Sequence, residues 1–263
     1  MRKVYTILVF MFIGLVTIDS AGQSLTSDST ANATIVSEPA PKVKKWKKSE
    51  WIVPSSLIVT GGIVAANKSA NEYFFNNHGV RDERNEHFKN FSTRADNILQ
   101  YTPTAAVFAL SLSGVKGRNN LPNQLALFVK SELLMTAIVF PTKLLVGERR
   151  PDTGAKNSFP SGHTAQAFAA ATFLAKEYGY KNVWYSVAAY TVATGVATCR
   201  VLNNRHWLSD VIAGAGVGIL STNIVYATHQ HKWGNGKNKN KNALTVTPTY
   251  GGKTAGFYLS YKF

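Results

Sequence analysis

A chain of 263 residues that is 45% hydrophobic can bury the core of one good-sized domain or two small ones, which excludes wholesale disorder. Lys and Arg number 29 against 14 Asp and Glu, a net charge of +15, so the favoured partners are anionic: nucleic acid, acidic lipid or a phosphorylated substrate. The single cysteine, Cys199, excludes an internal disulfide and any Cys-rich zinc site.

In chain order, residues 1–22 read as a secretory signal. Arg2 and Lys3 form a basic start, Val4 to Ile18 an apolar run, and Ser20, Ala21 and Gly22 offer small residues for cleavage. Export argues against a cytosolic nucleic-acid binder, and no finger or RNA-binding motif supports one. Residues 23–50 read as a Ser/Thr/Ala/Pro-rich linker that ends in a basic stretch from Lys42 to Lys48. Trp46 interrupts that stretch and Trp51 closes it, like a membrane-interface anchor, although a solvated charged face fits the same residues.

Residues 51–230 are expected to be all-α, a helical bundle of about six core helices. The apolar periodicity places them at Ile52 to Ala66, Thr104 to Val115, Gln124 to Val146, Thr164 to Tyr178, Val183 to Leu202 and Leu208 to Thr228. One or two amphipathic surface helices are expected between Asn71 and Gln100. Small residues in the last three core helices suit close packing in a membrane and equally in a tight soluble bundle. A mean hydropathy of −0.08 is low for a chain made mostly of spans. If each core helix crosses a bilayer once, the basic clusters at Lys42 to Lys48, Lys116 with Arg118, Lys176 with Lys181, and Lys232 to Lys241 share one side. The loop from Arg149 to His163 then shares the periplasmic side with the region around Leu202. A cleaved export signal would invert this arrangement. Residues 231–242 form a basic spacer, and 243–263 alternate with period two about Gly251 and Gly252, predicting a short C-terminal β-hairpin. The aromatic tail ending in Phe263 looks like the last strand of outer-membrane proteins of Gram-negative bacteria, but two strands cannot close a barrel.

Three segments hold polar residues that an apolar bundle does not tolerate without a use. The first carries Lys143, Arg150 and Pro151. The second is Ser158-Phe159-Pro160-Ser161-Gly162-His163, and the third carries Arg200, His206 and Asp210. Together they supply a phosphoryl-transfer set. Lys143, Arg150 and Arg200 can neutralise a phosphoryl transition state, and Ser161 with Gly162 begin a helix whose free N–H groups favour an anion. His206 and Asp210 are four apart at a helix start, so Asp210 can hold one imidazole nitrogen and leave the other as nucleophile, with His163 as general acid. Reading His163, His206 and Asp210 as metal ligands puts a cation among three fixed cations, which is electrostatically poor, so no metal and no cofactor are expected.

The pattern of Lys, six residues, Arg-Pro, then Pro-Ser-Gly-His, then Arg, five residues, His, three residues, Asp resembles the three-part signature of the type 2 phosphatidic acid phosphatase and vanadium haloperoxidase superfamily. The resemblance covers roughly residues 51–230. It implies a helical bundle and metal-independent hydrolysis of phosphomonoesters or diphosphates through a phosphohistidine. Residue by residue it makes His206 the nucleophile, Asp210 its orienter and His163 the acid, with Lys143, Arg150, Ser161, Gly162 and Arg200 as the phosphate cradle. Cys199 departs from the Ser common before the third-motif Arg. The apolar helix after Asp210 is similar to the lipid-phosphatase branch, which makes the expected partner a phosphorylated lipid and the expected place the cell envelope of a Gram-negative bacterium, with the site facing the periplasm. A soluble periplasmic acid phosphatase and a non-catalytic membrane scaffold that keeps the pocket are the alternatives. A haloperoxidase shares the pocket, but such family members are generally much longer.

Overall fold

The computed structural model describes residues 47–66, 76–229, 243–251 and 254–262. The expected signal (1–22), most of the linker and basic stretch (23–46) and the spacer (231–242) lie outside the described residues. The chain divides into two compact units, Met1–Gln230 and His231–Phe263.

In the first unit the described elements are all helical: α1 Ser49–Ala66, α2 Asn77–His87, α3 Asp96–Leu99, α4 Thr102–Leu112, α5 Leu121–Val146, α6 Gly162–Tyr178, α7 Val183–Leu202 and α8 Leu208–Thr228. The six core helices expected from periodicity are α1 and α4 to α8, and the two surface elements are α2 and α3. Local chemistry sets the ends. Asn120 caps α5 by accepting from Asn123 N at 3.2 Å, and Gly147 ends it at φ 62, a left-handed conformation that costs glycine nothing. Asn182 caps α7 by accepting from Trp184 N at 2.9 Å.

The core forms around α6, which buries its whole run from Thr164 to Leu174. Helix α6 packs on α7, α8 and α4, and α8 packs in turn on α1 and α5. Alanines on α6 and glycines on α8 allow this closeness. A Cβ on Gly214 would meet Ser161 O at 2.6 Å, one on Gly216 would meet Pro54 O at 2.6 Å, and one on Gly218 would collide with Ala165 O. Backbone lies against backbone here, so no side chain can move aside. Gly218→Ala is expected to destabilise the fold by about 1–3 kcal/mol through overpacking, read as a lower unfolding midpoint in denaturant. An unchanged midpoint would refute the close approach.

Among the described residues, α1, α5 and α8 are long and apolar enough to cross a membrane, by length and composition. Helix α6, an element rich in small residues, is enclosed by its neighbours rather than turned outward. Helices α1 and α5 present apolar faces outward: Ile52 (61% exposed), Ile63 (63%), Leu133 (65%) and Phe140 (63%). A lipid environment removes the cost of exposing such residues to water.

In the second unit β1, Ala243–Gly251, pairs antiparallel with β2, Thr254–Lys262, in a register running from Ala243 opposite Lys262 to Gly251 opposite Thr254.

Candidate active site

The three polar segments meet at one end of the bundle because the core helices alternate in direction. Lys143 lies in the last turn of α5 and Arg200 in the last turn of α7. Ser161 caps α6 and Asp210 lies in the first turn of α8. Cations in last turns and an acid in a first turn also agree with the helix dipoles.

His206 and Asp210 do meet, but not as two residues on one helical face. Helix α8 begins at Leu208 with Trp207 as its cap, so His206 precedes the helix. Asp210 is the third helical residue, and its carboxylate reaches back over the helix start. Its Oδ2 accepts from Trp207 N at 2.9 Å, lies 3.2 Å from His206 Nδ1, and also accepts from Ser158 Oγ. The contact is therefore made by helix capping rather than by four-residue spacing. Ser161 N donates to Asp210 O at 2.9 Å, which ties the second segment to the third. Trp207 Nε1 donates to Arg149 O at 2.7 Å, which ties the third to the first.

With Nδ1 donating to Asp210, the Nε2 of His206 keeps its lone pair. Burial pushes the imidazole down to about 4, against the hydrogen bond and charge of Asp210, while Arg150 and Lys143 lower it further. At neutral pH the ring is uncharged, which is the nucleophilic form. His163, at the start of α6 and outside the candidate spans, is also pushed down to about 4, by burial and then by Arg200, with Arg150 and Lys143 adding to the effect and Asp96 opposing it. All three predicted cations thus act on the charge of His163. A phosphate dianion among them would return negative charge and raise the proton affinity of His163, preparing it as an acid.

Fixed partners aim the cations. Lys143 Nζ donates to Asn157 O at 2.7 Å and to Ser158 O at 3.1 Å. Arg150 Nε donates to Asn157 Oδ1 at 2.7 Å, and its guanidinium is less basic than usual because of burial and the nearby Arg200. Ser161 makes no side-chain cap, so the first N–H groups of α6, from Gly162 onward, have no partner within the helix. Such a terminus is suited to an anion.

Sequence reasoning missed four residues that hold this arrangement. Arg200 NH1 donates to Asp96 Oδ2 at 2.6 Å in a buried ion pair, while Arg200 Nε is buried with no partner among the described residues. His163 Nε2 lies 2.9 Å from Asn97 Oδ1. Asp96 and Asn97 come from α3, over a hundred residues before Arg200, and no local pattern marks them. Asn157 orients two cations from within the loop. Ser158, which opens the second segment, carries no expected role, yet it lies against both Asp210 and His206 Nδ1, the latter at 3.4 Å. Two further ties fix α3: Thr93 N donates to Asn203 Oδ1 at 2.9 Å, and Asn203 Nδ2 donates to Thr93 O at 2.9 Å. Among the described residues no three His, Cys, Asp or Glu side chains converge as metal ligands.

Residues 124–233 match the model of the PAP2 superfamily. Over 148 residues the chain is 43% identical to a protein named Lipid A 1-phosphatase from Porphyromonas gingivalis, a match that takes in 56% of this chain and 33% of that relative. The chain thus spans about a third of the length of this curated relative. Among solved structures, Aquifex aeolicus LpxE overlaps 55% of this chain and 92% of its own at TM-score 0.42 and 20% identity. The first transmembrane PAP2 type phosphatidylglycerolphosphate phosphatase from Bacillus subtilis overlaps 66% of this chain and 94% of its own at TM-score 0.40 and 23% identity. The stretch 124–233 that matches the PAP2 superfamily model holds all three polar segments, from Lys143 to Asp210.

Proposed function

We propose that this protein is a phosphatase of the bacterial cell envelope that removes phosphate from a lipid, without a metal, through a phosphohistidine on His206. The observation that carries the reading is the buried His206–Asp210 pair, whose imidazole is within electrostatic reach of Arg150 and Lys143. Phosphoryl transfer is mainly positioning and charge stabilisation, and these groups supply both.

In the first step His206 Nε2 attacks phosphorus as the bond to the leaving oxygen breaks, and His163 gives its proton to that oxygen. Lys143, Arg150, Arg200 and the N–H groups after Ser161 hold the equatorial oxygens. In the second step water attacks the phosphorus of phosphohistidine, gives its proton to His163, and restores His206 as inorganic phosphate forms. Asp210 keeps the proton on Nδ1 and stabilises the charge that the ring acquires.

A lipid is the favoured substrate because apolar side chains stand exposed beside the polar groups. Leu144 (83% exposed) and Leu145 (86%) follow Lys143, and Ile98 (72%) follows Asn97. An acyl chain can cover these surfaces while the phosphate enters the cradle. The name of the Porphyromonas gingivalis relative puts the phosphate of a lipid A-type glycolipid first among candidates, and the site is proposed to face the periplasm.

The test is phosphate release by detergent-solubilised protein with EDTA present, on lipid A-type and glycerophospholipid phosphates and on a soluble aryl phosphate. Release from lipids that persists in EDTA and stops with vanadate is expected. Equal or greater activity on the aryl ester would favour the broad-specificity acid phosphatase, and no release from anything would favour the scaffold. The imidazole of His206 also fixes a pH dependence. Protonation removes its nucleophilic form, so kcat/KM is expected to fall on the acid side near pH 4 rather than near the ordinary 6.5. An acid limb near 6.5 would contradict a buried His206 nucleophile.

A further inference from the structure

An imidazole acting as an acid can donate from either nitrogen, and the two nitrogens of His163 meet different surroundings. Nε2 lies 2.9 Å from Asn97 Oδ1, whereas Nδ1 has no hydrogen-bond partner among the described residues. An amide oxygen facing Nε2 accepts the proton on that nitrogen and leaves Nδ1 with the lone pair of the neutral ring. With the amide nitrogen there instead, donor would face donor as soon as the ring was protonated. Only the oxygen arrangement suits a ring that must carry two protons.

Asn97 is placed for this contact and for little else. It is the second residue of α3, and its carbonyl accepts from Gln100 Nε2 at 2.9 Å. On either side of it in the chain, Asp96 is paired with Arg200, and Thr93 is tied to Asn203. The Asn97 side chain is exposed, and among the described residues it makes no other hydrogen bond. The charges acting on the His163 ring are Arg200 from α7, Asp96 from α3, and Arg150 and Lys143 from the end of α5 and the loop after it. Three of these are cations that oppose an imidazolium, and the carboxylate is engaged with Arg200. A neutral acceptor on Nε2 supports the protonated ring without adding a negative charge that would repel a phosphate.

We propose that Asn97 is the positioning residue for the general acid: it holds the Nε2 proton of His163 and so makes Nδ1 the nitrogen that exchanges a proton with the substrate. The proposal rests on the reading of His163 as that acid. As the bond from phosphorus to the leaving oxygen breaks, the proton on Nδ1 passes to that oxygen and the electron pair of the N–H bond stays on Nδ1. In the second step the attacking water returns a proton to Nδ1 while its oxygen bonds to phosphorus. The Nε2 proton remains on its hydrogen bond to Asn97 throughout.

The experiment compares wild type, Asn97→Asp, Asn97→Leu, His163→Ala and the double variant His163→Ala with Asn97→Leu, each as the full chain in neutral detergent. Nitrogen NMR of labelled histidine reads the tautomer without turnover, with the His163 signals identified by their loss in His163→Ala. The Nε2–H form is expected for His163 in wild type at neutral pH, and a mixture of tautomers in Asn97→Leu. On a lipid phosphate at saturation, kcat of Asn97→Leu is expected to fall about ten- to a hundredfold with little change in KM, a part of the ~10²–10⁴-fold that a positioned acid supplies. Asn97→Asp puts a negative charge beside the ring and raises its proton affinity. The acid then stays protonated to higher pH, so the alkaline limb of kcat is expected to move up by about 1–3 pH units. In the His163→Ala background, Asn97→Leu should cost nothing further. An Nδ1–H tautomer in wild type, an unmoved limb in Asn97→Asp, or an equal loss from Asn97→Leu with and without His163 would overturn the proposal. Activity of His163→Ala within about tenfold of wild type, with the Nε2–H tautomer present, would overturn it through the mechanism on which it rests, because the acid would then lie elsewhere.

Discussion

Replacing His206 by alanine is expected to reduce phosphate release at least ~10⁴-fold, because a nucleophile has no substitute in a covalent mechanism. The fold should survive the change. Asp210 Oδ2 still receives Trp207 N and Ser158 Oγ after the imidazole is gone, so the start of α8 keeps its cap. The comparison is made at matched concentrations of folded protein, with near-ultraviolet circular dichroism as the check on packing. Activity within tenfold of wild type would remove His206 from the role of nucleophile. Loss of activity together with loss of folded signal would show instead that the buried ring is structural.

The second large effect concerns Asp96, a residue on a four-residue helix with no motif of its own. Its carboxylate is 1% exposed and meets the Arg200 guanidinium at 2.6 Å. Removing one partner of a buried ion pair leaves an uncompensated charge, so Asp96→Ala is expected to cost about 3–5 kcal/mol of stability. Replacing both partners by apolar residues, as in Asp96→Leu with Arg200→Met, removes the stranded charge and should recover most of that stability. It should not recover activity, because Arg200 is one of the three cations proposed to stabilise the transition state, and losing such a donor is typically worth ~3 kcal/mol. Denaturant unfolding of the single and double variants, with phosphate release on the same samples, separates the two effects. A double variant no more stable than Asp96→Ala would show that the pair is not an isolated buried charge couple. An active double variant would remove Arg200 from the cradle.

Much of the site was legible because its chemistry is spaced along the chain. Lys143 and Arg150, the Ser161-Gly162-His163 run, and Arg200, His206 and Asp210 stand out as polar residues at the ends of apolar helices. The core helices themselves could be bounded to within a few residues, since Asn120, Gly147 and Asn182 are local signals that act on their own turns. Sequence alone therefore determined the helical class, the order of the helices and the residues proposed to bind phosphate. Tertiary structure decided what surrounds them. Packing of α3 against α7 brings Asp96 to Arg200, and the same short element sets Asn97 against His163, contacts across more than sixty residues that leave no periodic trace. It also decided that His206 stands outside α8 and is held by a capping carboxylate, a geometry that four-residue spacing does not distinguish from a helical pair. Local signals act through hydrogen bonds within a turn, whereas burial and charge pairing arise only when distant helices close on one another.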